Sequence, residues 1–344
     1  MLSQALDLGS LAKNPYEVGS VLTFQRTTDS TSCKNDQLKS LRVRIKTLQQ
    51  PWTLSCCMIV DILCDSSDEV AETAFLKLFD WRYAAQQRSD NGIDPWSPES
   101  AVKYAEFVVS GEAQKFLDQL FRSNTECQDQ ETEEDWNVCQ DETFLVHETR
   151  TMYNNETTVY RRLQALQGTT VPRLMGAVEL DIAPPTMKNE NWKKLLKVQG
   201  VLLEYSPDNF TLRDLVYMVP TEDLQGIVDQ AVDIVRSLGD YDVLNSDVRL
   251  DNFLVTCQRG DEGIDEANRP GQIYRVVMLD FAQSRVRRES ESDFEWGRAK
   301  ARQDEEGAIG LVVRHHLRKH GKEVSYEPSG RYDDFLETES ESGA

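Results

Sequence analysis

The feature that most constrains this chain lies between residues 245 and 282. It reads NSDVRLDN, then the apolar stretch FLVT, then a loop rich in Gly, Asp and Glu, then YRVVMLDFA. Asp247 and Asn252 stand five apart before the first stretch, and Asp280 ends the second. Short β-branched and aromatic runs separated by turn residues predict two strands joined as a hairpin. Phosphoryl transfer to a hydroxyl needs these groups. One carboxylate orients the attacking oxygen or accepts its proton. An Asn and a second carboxylate hold Mg²⁺ against the phosphates. The Asp-x-x-x-x-Asn spacing alone recurs by chance; followed by strand, loop, strand and Asp-Phe it is far more specific. On the residues alone, Asp247 and Asn252 also suit a turn closed by Asx side-chain bonds, and Asp280 a cap at a strand end.

The rest of the chain bounds what that constellation can belong to. Its 344 residues suit a two-lobed enzyme or two small domains, and 39% hydrophobic content supports a real core. With 38 Lys+Arg against 59 Asp+Glu the net charge is −21, which argues against binding a nucleic-acid backbone. No apolar run is long enough for a spanning helix, and Met1 to Lys13 does not read as a signal peptide. Seven cysteines without C-x-x-C spacing read as reduced intracellular thiols, giving a cytoplasmic or nuclear expectation. His315, His316 and His320 sit among Arg and Lys and read as a basic helix end rather than a metal site.

Residues 1–40 are polar and read as a weakly ordered extension. LRVRIK, from Leu41, alternates apolar and cationic residues as a half-buried strand does; LSCCMIVDIL and TAFLKLF continue a predicted antiparallel sheet. Ser97-Pro98-Glu99 marks a helix start, and Gly111 a break. Asn124 to Thr143 holds eight acidic residues and no Lys or Arg, predicting a solvated loop. A helix is expected from about Asn155 to Gln167, then strands in VPRLMGAVEL and VQGVLLEYS. Thr221 to Leu238 carries one apolar stripe, with Gly239 placed as its stop. A charged helix is expected over about Asp293 to His320, and the acidic end, residues 326–344, reads as disordered.

These residues resemble the protein-kinase-like superfamily. NSDVRLDN looks like the catalytic loop H-R-D-x-x-x-x-N, and LDFA looks like D-F-G. The resemblance implies that Asp247 is the catalytic base, that Asn252 and Asp280 are metal ligands, and that Arg249 faces the transferring phosphate. It makes Lys77, in the apolar run TAFLKLF, the phosphate-binding lysine, and Glu156, in NNETTVYRRLQAL, its partner. It places adenine against the backbone near Glu204 and Tyr205. The implied fold is α+β and two-lobed: a small antiparallel-sheet lobe (41–205) with a helical, acidic insertion (81–150), and a reduced, mainly helical lobe (206–325).

Several positions depart from the pattern. No glycine occurs between Leu41 and Leu63, so QQPW stands where a Gly-rich loop would cradle phosphates. Asn245 and Ser246 replace the His and Arg, and Ala282 replaces the Gly. No A-P-E follows Asp280. The chain looks more like the atypical and aminoglycoside-phosphotransferase-like branches than like regulated kinases. EWGRAKARQDEEGAIG is similar to uncharacterised fungal kinase-like families. The implied activity is transfer of the γ-phosphate of ATP, with Mg²⁺, to a hydroxyl of a protein or small molecule, with a basic acceptor suited to the charge. A pseudokinase or scaffold that binds partners without catalysis is the alternative from a different class.

Overall fold

The computed structural model describes residues 13–27, 40–64, 67–126, 136–183, 187–258 and 273–336. The chain divides into two compact units, one of residues 1–153 with 174–205, the other of residues 154–173 with 206–344.

The first unit contains β1 (Val21–Thr27), β2 (Ser40–Gln49), β3 (Cys56–Leu63), β4 (Val70–Phe79), α1 (Ala85–Asp90), α2 (Pro98–Ser110) and α3 (Glu112–Glu126). The helix α4 (Val138–Arg162) begins here and ends in the second unit. β5 (Leu174–Asp181), α5 (Glu190–Lys194) and β6 (Lys197–Glu204) complete it. Its strands form a closed barrel in the order β1-β2-β3-β4-β6-β5, every pairing antiparallel. The expected antiparallel sheet is therefore a closed one, sealed by β1 against β5 through Gln25 and Glu179.

Period-two alternation builds the barrel. Leu41, Val43 and Ile45 face inward from β2, and Ala74, Leu76 and Leu78 from β4, all in one core. Each such buried Leu or Val contributes about 1.5–3 kcal/mol. Gly200 leaves no room for a side chain between β6 and β4: a Cβ there would lie 2.6 Å from the Lys77 carbonyl. β1 corrects the expected weakly ordered extension. Leu22 and Phe24 point into the core, and two inward residues in a polar stretch are too few to show as a pattern.

The helices extend this core. Ser97 caps α2 by accepting the Ser100 N–H, Pro98 is its first residue, and Gly111 ends it at φ +82°. The expected acidic loop is partly helix: α3 reaches Glu126 and α4 begins at Val138. Glu142 is not solvated but takes a bidentate pair from Arg88 (3.0 and 2.8 Å), and Leu145 and Val146 enter the core. Residues 127–135 of that segment lie outside the described residues.

The second unit adds β7 (Asn209–Thr211), α6 (Leu215–Met218), α7 (Leu224–Asp240), β8 (Val243–Asn245), β9 (Phe253–Gln258), β10 (Ile273–Met278), β11 (Ser284–Val286), α8 (Asp293–Gln303) and α9 (Glu305–Arg318). α7 buries the expected stripe, from Leu224 through Ile227, Val228, Ala231 and Val235 to Leu238. Two strand groups matter for the site: β10-β9-β7, and the pair β11-β8.

Three expectations change here. Gly239 lies inside α7 rather than stopping it. The charged helix is two helices, broken at Asp304 with φ +43°. The acidic end is ordered to Leu336. Gly239, Gly297 and Gly310 leave room for Tyr332, Phe335 and Tyr326, whose ring or hydroxyl atoms lie 2.3–2.6 Å from where a Cβ would stand. Ser329 Oγ donates to Glu306 (2.6 Å) and Arg331 to Asp240 (2.6 Å), fastening the same segment. These rings are spaced without period, so composition alone reads them as tail. The end at 337–344 and the hairpin loop at 259–272 lie outside the described residues.

Candidate functional site

An antiparallel hairpin returns its second strand to the end where the first began. β9 and β10 pair Phe253 with Met278, so Asn252, just before β9, and Asp280, two residues after Met278, lie at the same end. The Leu279 N–H donates to the Asn252 carbonyl (2.7 Å) and fixes that meeting. β8 and β11 pair Asn245 with Ser284, and the Ser246 N–H donates to the Gln283 carbonyl (3.1 Å). Two short pairings thus bring the 245–252 loop and the 279–284 turn together across more than twenty-five residues of sequence.

Inside this meeting the Asp247 carboxylate is held from two sides. Asn252 Nδ2 donates to its Oδ2 (3.2 Å) and to the Asp247 carbonyl (2.8 Å). The Arg249 guanidinium pairs with the same Oδ2 at 2.8 Å. Asp247 is 15% exposed and Arg249 53%, so the cluster opens to solvent through the arginine. The Asn252 amide nitrogen is thus directed at Asp247.

Asp280 takes a left-handed backbone, φ +64°, which a residue with a Cβ adopts at a cost of about 1–3 kcal/mol. Its Oδ1 accepts the Ala282 N–H (3.2 Å) and its carbonyl accepts from Asn245 Nδ2 (3.4 Å). Asn245 also accepts the Asp247 N–H on Oδ1 (2.7 Å), and is itself fully buried. Noted in the sequence only as a departure, it is the hub of this cluster.

Glu156 also belongs to the second unit, fully buried on the last turns of α4. The neighbouring Asn155 donates to the Ala282 carbonyl (3.2 Å), and the Tyr160 ring meets Phe281 edge-on at 5.4 Å. The Tyr160 phenol is pushed well above its usual range, first by burial and then by the charges of Glu156 and Asp280. Both carboxylates therefore lie within electrostatic reach of one ring. From outside, Arg213 grips Asp251 with two hydrogen bonds (2.7 and 2.6 Å), and His316 donates to the Arg213 carbonyl (2.9 Å). The Arg213 hydrogen bonds hold the Asp251 carboxyl below its ordinary value.

Lys77, Glu204 and Tyr205 belong to the first unit. Lys77 is 3% exposed and alternates with the inward Leu76 and Leu78, so it faces away from the barrel core, beside the Phe79 ring (5.2 Å). Glu204 ends β6 opposite Ala74. The turn that stands where a Gly-rich loop is expected is filled by Trp52, whose indole donates to the Cys57 carbonyl (3.2 Å) and packs edge-on against Tyr16 and Tyr83.

Among the described residues no group of three or more His, Cys, Asp or Glu could hold a metal. The set Asn252 and Asp280 offers two hard oxygen donors, which suits Mg²⁺ taking its other positions from phosphates and water. No described helix is long and apolar enough to cross a membrane.

No protein-family model matches the chain, and no curated protein does. Among solved structures the chain is similar to the Rio2 kinase of Chaetomium thermophilum in its ADP/Mg²⁺-phosphoaspartate complex. The TM-score is 0.43 and the identity 10%, over 87% of this chain and 63% of that one, less than two-thirds of the kinase chain.

Proposed function

We propose that the chain is an ATP-dependent phosphotransferase with a two-lobed kinase-like fold, an atypical protein kinase that transfers the γ-phosphate to a hydroxyl. One observation carries this reading: the Asp247 carboxylate is bound by Asn252 and Arg249 at the same hairpin end as Asp280. In this reading Asp247 takes the proton of the acceptor hydroxyl, and the Asn252 amide keeps its Oδ2 aimed. Arg249, anchored on Asp247 yet open to solvent, is placed to meet an incoming anion. Asn252 and Asp280 would hold Mg²⁺, which supplies neutralisation of phosphate charge. Lys77, in the first unit, keeps the phosphate-binding role that the resemblance gives it, and adenine is assigned to the backbone at Glu204 and Tyr205 of the same unit. The net charge of −21 favours a cationic acceptor, peptide or metabolite.

The test is transfer of labelled γ-phosphate from Mg·ATP to basic peptides and to cationic metabolites. Asp247→Ala is expected to lower that transfer by about 10²–10⁴-fold. Undiminished transfer by the variant would remove Asp247 from the mechanism. A second reading, a scaffold without catalysis, is favoured by the Trp52-filled turn, which offers no glycine backbone to phosphates. Absence of transfer to every acceptor would select it.

A further inference from the structure

We propose that Lys300 and Glu305, a buried ion pair on α8 and α9, are positioning residues that fix Asp247 and Asp280 through Asn245; the catalytic half of this proposal rests on the phosphotransfer reading above. The pair is built by the break between the two helices. Asp304 stands there at φ +43°, and its carboxylate accepts the Gly307 N–H (3.0 Å) to start α9. Lys300, before the break, and Glu305, after it, make a direct ion pair, with side chains 4% and 2% exposed.

Each partner then reaches β8. Lys300 Nζ donates to the Val243 carbonyl (3.0 Å), and Glu305 Oε1 accepts the Asn245 N–H (2.7 Å). Both ends of the three-residue strand are thereby held by charged groups. From Asn245 the side chain divides: Oδ1 accepts the Asp247 N–H, and Nδ2 donates to the Asp280 carbonyl. Glu305 is thus two hydrogen bonds from each of the two candidate carboxylate residues. The Asp280 bond matters most, because it restrains a left-handed backbone that a residue with a Cβ does not favour.

A purely structural role fits less well. Burial pushes the Lys300 ammonium down and the Glu305 carboxyl up, even though each partner's charge opposes that shift. A neutral apolar pair would fill the space without that cost. The rings of Trp296 and Tyr332, each 5.8 Å from Nζ, close the site around the lysine. What the ionic pair adds is strong, directed hydrogen bonding to the strand that carries Asn245.

The experiment combines amide hydrogen exchange with steady-state kinetics on the full chain. Asn245→Ala is expected to speed exchange at Asp247 by roughly 10-fold or more while α7 keeps its protection. The same variant should lower kcat for transfer by about 10²-fold with KM for ATP changed less than about threefold. Glu305→Ala should open the amides of Asn245 and Asp247 together, and Glu305→Gln, which keeps an oxygen for Asn245, should close Asp247 again. Exchange that rises evenly through α7, β9 and β10 in Glu305→Ala would reduce the pair to general stability and overturn the proposal. Opened amides with unchanged kcat would overturn its catalytic half. If the native chain transfers no phosphate, the phosphotransfer reading falls, while the exchange pattern still decides whether Glu305 holds the loop.

Discussion

Two buried ion pairs, one from each unit, are built on opposite plans. In the first unit Asp80 and Arg82, both with fully buried side chains, lie two residues apart. Arg82 donates from Nε to Oδ1 (2.9 Å), from Nη2 to Oδ2 (2.6 Å) and from its backbone N–H to Oδ1 (3.1 Å). Tyr16 adds its hydroxyl to Oδ2 (2.6 Å). Burial alone would weaken the guanidinium's hold on its proton, but the charge and hydrogen bonds of Asp80 outweigh it and the pKa rises. In the second unit burial wins over Glu305, and the Lys300 pKa falls. A planar fork matches a carboxylate at several points, whereas an ammonium is a point charge. The first pair is a local lock at the end of β4, completed by the Tyr16 hydroxyl. The second directs its bonds outward, to β8.

That contrast is broken most severely at Arg82. Arg82→Met leaves the Asp80 carboxyl buried without its cation, and is expected to lower the unfolding free energy of the chain by about 3–5 kcal/mol in urea melts. A loss below about 1 kcal/mol would mean that Asp80 recruits another partner and that the lock is not what the distances suggest. At Lys300 the loss should be smaller, on the order of 3 kcal/mol for Lys300→Met, and adding Glu305→Gln should recover most of it. A double-mutant cycle measures both. Equal recovery in Asp80→Leu/Arg82→Met would erase the distinction between the two pairs.

The mildest test concerns pH. His147, on α4, has its pKa pushed below 6.5, first by burial and then by the Arg150 charge. The folded chain therefore favours neutral imidazole, and the unfolded chain binds more protons in the window between the folded value and 6.5. Stability is complete above that window and falls as pH drops through it. His147→Gln should flatten this slope, read as the difference in urea midpoint between about pH 5 and pH 7.5. Identical slopes in both proteins would place the source of any acid sensitivity elsewhere.

Much of the local structure is legible in the sequence for stated reasons. LRVRIK alternates because one face of β2 lies in the barrel and the other in water. The stripe from Leu224 to Leu238 follows the helical period because α7 buries one side. Ser97-Pro98 starts a helix because a hydroxyl can accept the Ser100 N–H and proline needs no partner for its nitrogen. Asp247, Asn252 and Asp280 are singled out by type and spacing. Other features leave no such trace. The α4 start reads as solvated acid because Glu142 finds Arg88 fifty-four residues away. The C-terminal segment reads as tail because its rings fit gaps on three helices.

By itself, then, the sequence determined the strand and helix periods, the amphipathic stripe of α7 and the residue types able to serve phosphoryl transfer. Those are local properties, written in the order of neighbouring side chains. Only the tertiary structure decided that β1 closes the barrel on β5, that Asn245 joins the Asp247 loop to the Asp280 turn, and that Lys300 and Glu305 hold Asn245. The contacts that decide them, Gln25 with Glu179, Asn245 with Asp280 and Glu305 with Asn245, join residues tens to more than a hundred positions apart. A buried polar atom takes whichever partner the fold brings near, and spacing along the chain carries no record of that choice.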